Sequence, residues 1–176
     1  MKLIKRYSFF IGTLILTLLI ILINREVGMK AVDTIAYSFK EMLVIIPPIF
    51  ILLGLLDVWV PKKTMTKYMG EDSGLIGILL SFLLGSAAAG PLYGAFPVAA
   101  VFMKKGVKFS NVLIFIGAWS TTKIPLFLFE STFLGFEFAL TRLAINIPGI
   151  LLIVHIISGM INEEERINIY KTASDL

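Results

Sequence analysis

Apolar residues run through this chain in long blocks, and the blocks are sized to cross a bilayer rather than to cover one face of a soluble helix. Tyr7 to Ile23 is the first block, and it follows a basic start with Lys2, Lys5 and Arg6. It is longer than a usual signal core, and Ile23-Asn24-Arg25-Glu26 offers no small-residue cleavage site, so it is expected to be a retained first span. Ala31 to Lys40 places Ala31, Ile35, Ala36 and Phe39 at helical spacing among polar residues, the pattern of a helix lying in the interface. Met42 to Val60 is the second span, with Pro47-Pro48 expected to kink its early half. Asn111 to Phe129 and Leu140 to Ile161 follow, separated by a short connector carrying Glu130 and Glu137. Asn162 to Leu176 is a polar tail expected to be exposed and frayed.

Leu75 to Met103 departs from this scheme. It is apolar throughout, yet its centre reads Gly90-Pro91-Leu92-Tyr93-Gly94-Ala95-Phe96-Pro97. Two prolines remove backbone donors and two glycines weaken any helix, so unpaired peptide groups would sit at membrane depth. Such groups survive there only when buried in protein or lining a wet cavity, as in transporters and channels.

Charge placement decides how this segment sits. A straight crossing leaves six basic residues on the side of the amino terminus and puts eight opposite, against the cytoplasmic bias of Lys and Arg. If the segment instead enters and returns, Lys62, Lys63, Lys67, Lys104, Lys105, Lys108, Arg166 and Lys171 join Lys2, Lys5 and Arg6. With Lys123 inside an apolar run and Arg142 at the membrane edge left out of both tallies, Arg25, Lys30 and Lys40 then lie outside, which is eleven against three. The pattern therefore predicts a re-entrant hairpin with the amino terminus cytoplasmic. On its first arm Ser81, Gly85 and Ala89 recur every fourth residue, a flat stripe suited to close helix packing.

A second interruption lies at Gly117-Ala118-Trp119-Ser120-Thr121-Thr122-Lys123-Ile124-Pro125. Pro125 cannot donate to the carbonyl of Thr121 and disfavours helix at Ile124. Ser120, Thr121 and Thr122 bring hydroxyls, and Lys123 brings an amine into an apolar run. That amine either faces a cavity or snorkels toward the far interface. Tyr93 and Trp119 are aromatic candidates for a pocket wall. His155 reads as a packing residue.

Composition narrows the chemistry. Hydrophobic residues make up 57% of the chain and charged residues 16%, with no cysteine and one histidine. Disulfides and thiolate metal sites are excluded, and no His-Glu-x-x-His, Gly-x-Ser-x-Gly or phosphate-loop motif is present. The net charge of +4 marks membrane edges, with no module for nucleic acid. No catalytic residue, metal or cofactor is expected.

The Pro47-Pro48 to Gly54-Leu55-Leu56 span, the Gly85-to-Pro97 interruption followed by Met103-Lys104-Lys105-Gly106, the Phe115-to-Pro125 span and Phe138-Ala139-Leu140-Thr141-Arg142-Leu143 together resemble one half of the YraQ/ArsP-type predicted permeases. The resemblance covers about Phe39 to Gly159. It implies a permease, and because family members typically contain two such halves it implies that two copies enclose the pathway. Relatives often place cysteine near the first interruption, where this chain has Ser86-Ala87-Ala88-Ala89-Gly90-Pro91. The thiolates that trivalent arsenicals prefer are thus missing.

The resulting expectation is an all-α membrane protein with about four transmembrane helices plus a re-entrant or broken helical hairpin at 75–103. Residues 1–161 form a single integral permease-like domain and 162–176 a polar cytoplasmic tail. The protein is expected in the lipid bilayer of the inner (cytoplasmic) membrane as a homodimer moving a small solute or ion. The candidate solute-binding residues are Gly90, Pro91, Tyr93, Gly94 and Pro97 from the first break, and Ser120, Thr121, Thr122, Lys123 and Pro125 from the second. A passive channel and a noncatalytic membrane subunit are the alternatives.

Overall fold

The computed structural model describes residues 7–88 and 90–174, so the basic start at Lys2, Lys5 and Arg6 and the stripe residue Ala89 lie outside the described residues. Packing divides the chain into two units, Met1–Pro48 and Ile49–Leu176. Described elements are all helical: α1 (Ser8–Ile23), α2 (Arg25–Trp59), α3 (Lys62–Met69), α4 (Gly74–Ala87), α5 (Ala95–Lys104), α6 (Phe109–Thr121), α7 (Ile124–Phe133), α8 (Phe136–Met160) and α9 (Glu163–Ser174). Short 3-10 turns at Glu71–Ser73 and Leu92–Gly94 lead into α4 and α5.

In the first unit one residue, Asn24, separates α1 from α2. Its side-chain oxygen accepts the amide of Val27 at 3.1 Å, the bond that starts a helix. Gly28 lies so close to the Ile21 backbone that no side chain would fit. The interfacial stretch expected at Ala31 to Lys40 and the span expected from Met42 are not separate elements. Both belong to α2, which continues through Pro47 and Pro48.

Two stretches among the described residues are long and apolar enough to cross a membrane, Phe109–Phe133 and Phe136–Met160. A third is the pair Lys62–Met69 and Glu71–Ala87, bent by 50°. Ser8–Ile23 and Leu92–Lys104 are shorter apolar helices.

The stretch at 75–103 folds back on itself as a hairpin, the arrangement that the basic residues predict. The amide of Lys108 donates to the carbonyl of Met69 at 2.9 Å, and Asn111 Nδ2 donates to the same carbonyl at 2.9 Å and to Ser73 Oγ at 3.1 Å. Thr66 Oγ1 donates to the carbonyl of Lys105 at 3.1 Å. The end of α5 has therefore come back to the level at which α4 begins. Each arm, counting the 3-10 turn with α5, rises about 21 Å. Next, α6 runs alongside α4 in the same direction. Gly85 is the reason the two can touch: a Cβ there would lie 2.5 Å from the Phe115 carbonyl oxygen and 2.7 Å from Ala118 Cβ. Ser81, one turn earlier, is fully buried, so the stripe packs as expected for its described members.

The core of this unit fills the angle between the arms and α6. Val98, Ala99 and Phe102 of α5 meet Val112, Phe115 and Trp119 of α6, with Met65 and Met69 of α3 closing the base. Phe102 and Phe115 have ring centroids 4.8 Å apart, and Trp119 stands edge-on to Phe115 at 5.5 Å. In lipid this interlocking, rather than removal from water, holds helices together.

The tail departs from expectation. Glu163–Ser174 is a helix rather than frayed chain: Tyr170 Oη donates to the carbonyl of Val107 at 2.6 Å, and Ala173 is buried. Its small apolar set, Tyr170 and Ala173, was hidden among charges that suggest solvent on every side.

Candidate functional site

The hairpin's tip and the break after α6 meet at one oxygen. Past α4 the backbone turns extended at Ala88 (ψ 144°), Gly90 takes φ +104°, and Pro91 is extended again (φ −70°, ψ 159°). A side chain would strain Gly90, and glycine there swings the carbonyl toward α6. Trp119 Nε1 donates to that carbonyl at 3.3 Å and Lys123 Nζ at 2.7 Å. Lys123 therefore does not snorkel to the far interface. Its amine reaches across to the other break, placing a cation beyond the carboxyl end of α4, where the helix dipole is negative.

The second break is capped in the same manner. Pro125, at the start of α7, leaves the Thr121 carbonyl without its helical donor. Arg142 Nη2 from α8 takes that place at 2.9 Å, while its Nε bonds Glu130 Oε2 at 2.6 Å. Glu130 is 7% exposed, so what looked like a connector carboxylate is a buried ion-pair partner. The turn that brings α8 back beside α7 uses Gly135 at φ +95°. Both helices that end at the site are thus closed by a cation, Lys123 for α4 and Arg142 for α6.

The remaining candidates divide. Ser86 Oγ and Thr122 Oγ1 share a hydrogen bond at 2.8 Å, a second tie between the breaks. Thr121 and Thr122 also turn their hydroxyls back onto the carbonyls of Gly117 and Ala118 at 2.9 and 3.1 Å. Gly94 is buried and its amide bonds the Pro91 carbonyl at 3.0 Å. Pro97 falls within the first turn of α5, where a missing amide costs no helical bond. Tyr93, Ser120 and Pro125 are exposed and, among the described residues, make no hydrogen bond to the opposite break.

An apolar cleft of about 440 Å³ opens beside the Ser86–Thr122 pair, walled by Phe82, Leu83, Phe127, Leu143 and Ile147. No three of the described His, Asp or Glu side chains converge as metal ligands would.

Sequence reasoning missed Ser86, Glu130 and Arg142. A signal for the last two was present: they flank Gly135 at five and seven residues, nearly opposite positions once α7 and α8 fold back on each other.

Apolar spans, a hairpin that folds back on itself, and a second span broken beside its tip define a multi-pass, all-α membrane protein. Comparison with family models gives the same class independently. The ArsP_1 family, described as predicted permease, matches residues 28–175, and the chain belongs to that family. The match includes both breaks, the Glu130–Arg142 pair and α9. Membership of a predicted-permease family makes membrane transport its general role. No curated protein and no solved structure matches it.

Proposed function

We propose that the two breaks form the solute site of a carrier, built from Gly90, Pro91, Tyr93 and Gly94 on the hairpin and Ser120, Thr121, Thr122 and Lys123 on the broken span. Pro97 and Pro125 shape its edges. The observation that carries this reading is the convergence of Trp119 and Lys123 on the Gly90 carbonyl. Movement of either break must change the other, which is what alternating exposure of a central site requires.

One copy leaves the site half covered. Tyr93 is 40% exposed and Ser120 is exposed, although hydroxyls and open backbone at membrane depth need protein or water against them. A second copy presenting the same breaks supplies that cover. Since the basic loops favour one orientation, the pair is parallel about an axis along the membrane normal, in the inner membrane with amino termini cytoplasmic.

The absence of native cysteine allows a direct test. In right-side-out and inverted vesicles, Ser120→Cys and Tyr93→Cys should react with a membrane-impermeant thiol reagent from both sides, and Leu152→Cys in α8 from neither. A carrier protects one face while the other reacts, whereas a channel leaves both open together. Unreactive thiols at Ser120 and Tyr93 from both sides would remove the carrier reading. Mixed orientation of tagged termini in crosslinked pairs would remove the parallel dimer.

A further inference from the structure

We infer that the solute is an anion and that Lys123 supplies the charge balancing it, an assignment that rests on the breaks being the transport site. From Leu75 to Met103 there is no charged side chain, and α6 carries none. Among the described side chains, the charged groups next to the breaks are Lys123, Glu130 and Arg142. Glu130 and Arg142 neutralise one another at 2.6 Å. Glu137, in the first turn of α8, is exposed. Lys123 belongs to none of the ion pairs among the described residues, and its hydrogen bond is to the neutral Gly90 carbonyl.

A full positive charge therefore stands beside the break with only a carbonyl and the end of a helix against it. The helix dipole offers about half an elementary charge, spread over several carbonyls. Gly90 occupies one of the three ammonium donors, so an acceptor on the solute has a place to bind. A cationic solute would meet two fixed positive charges against one negative. A neutral solute would leave Lys123 unbalanced in a region where an isolated ammonium is costly. An anion resolves the imbalance, and its transit carries the site through a neutral state.

Trp119 reports on this directly, because its indole shares the Gly90 acceptor with Lys123. The experiment uses the full chain carrying Trp59→Phe, reconstituted in phosphatidylcholine vesicles, with iodide as the anionic probe and caesium and acrylamide as cationic and neutral quenchers. Iodide should quench Trp119 saturably and caesium should not. Lys123→Arg should retain the effect, and Lys123→Met should lower the apparent iodide affinity about tenfold, the loss of one charge-assisted contact, with acrylamide quenching unchanged. Equal quenching by caesium and iodide in the unsubstituted site overturns the assignment without any variant needing to fold. Unchanged iodide affinity in Lys123→Met does the same. In either case a water-accessible Ser120→Cys leaves the carrier reading standing, whereas an inaccessible one removes that reading.

Discussion

Arg142 on α8 donates to the carbonyl of Thr121 at 2.9 Å, the acceptor that Pro125 leaves without an amide, and the same guanidinium holds Glu130. A sequence-imposed gap in one helix is thus filled from the next. Arg142→Met should destabilise the protein by about 3 kcal/mol, since it strands a buried carboxylate as well as the carbonyl. Glu130→Gln combined with Arg142→Met should recover part of that loss in thermal unfolding. Strictly additive losses would show that the two side chains are not coupled.

Gly85 sets the distance between α4 and α6. Gly85→Ala should cost about 1–3 kcal/mol, because the new methyl meets backbone that cannot step aside. At Gly149 in α8 an added methyl would find nothing within 4 Å, so Gly149→Ala should be neutral or stabilise by up to about 1 kcal/mol. Unfolding temperatures of the two variants in one detergent decide it, and equal shifts would count against the close approach.

Gly90→Ala tests the hairpin tip. With φ at +104° an alanine is strained by about 1–3 kcal/mol, and the backbone is expected to rotate its carbonyl away from α6. Trp119 emission should then shift relative to the parent protein. An unaltered spectrum would mean that the indole does not depend on this carbonyl.

Tyr170 makes α9 sensitive to alkali. Burial first, and the nearby Glu71 carboxylate second, push its phenol up to about 12, while Arg166 pulls the other way. The folded state therefore favours the protonated form. That contribution is complete below the ordinary phenol value near 10 and is lost as pH rises through about 12. Between these limits α9 should loosen from Val107 and tryptic cleavage at Lys171 should accelerate. Tyr170→Phe should cleave faster than the parent at neutral pH and lose its pH dependence in this window; a steep alkaline rise in the variant would assign the effect elsewhere.

Much of this was legible from residue types alone. Gly90, Pro91 and Pro125 announce breaks because proline lacks an amide and glycine tolerates positive φ, and the lysines at 62–67 and 104–108 announce that the hairpin returns. Close packing was readable in Ser81 and Gly85. Glu130 was misplaced because an acid near the end of an apolar run looks like a loop residue until its partner is known. The merger of Ala31–Lys40 with the following span in α2 was hidden for a related reason: composition separates an interfacial stretch from a span, while the helix backbone does not.

The amino-acid sequence by itself determined that this is a helical membrane protein with two interruptions in its apolar stretches and a hairpin that folds back between basic loops, because those features follow from donors removed and charges placed along one chain. Only the tertiary structure decided which oxygen each cation serves. Lys123 reaches Gly90 and Arg142 reaches Thr121 because α4, α6, α7 and α8 pack side by side, and that pairing across 33 and 21 residues depends on distances in space that local patterns do not encode.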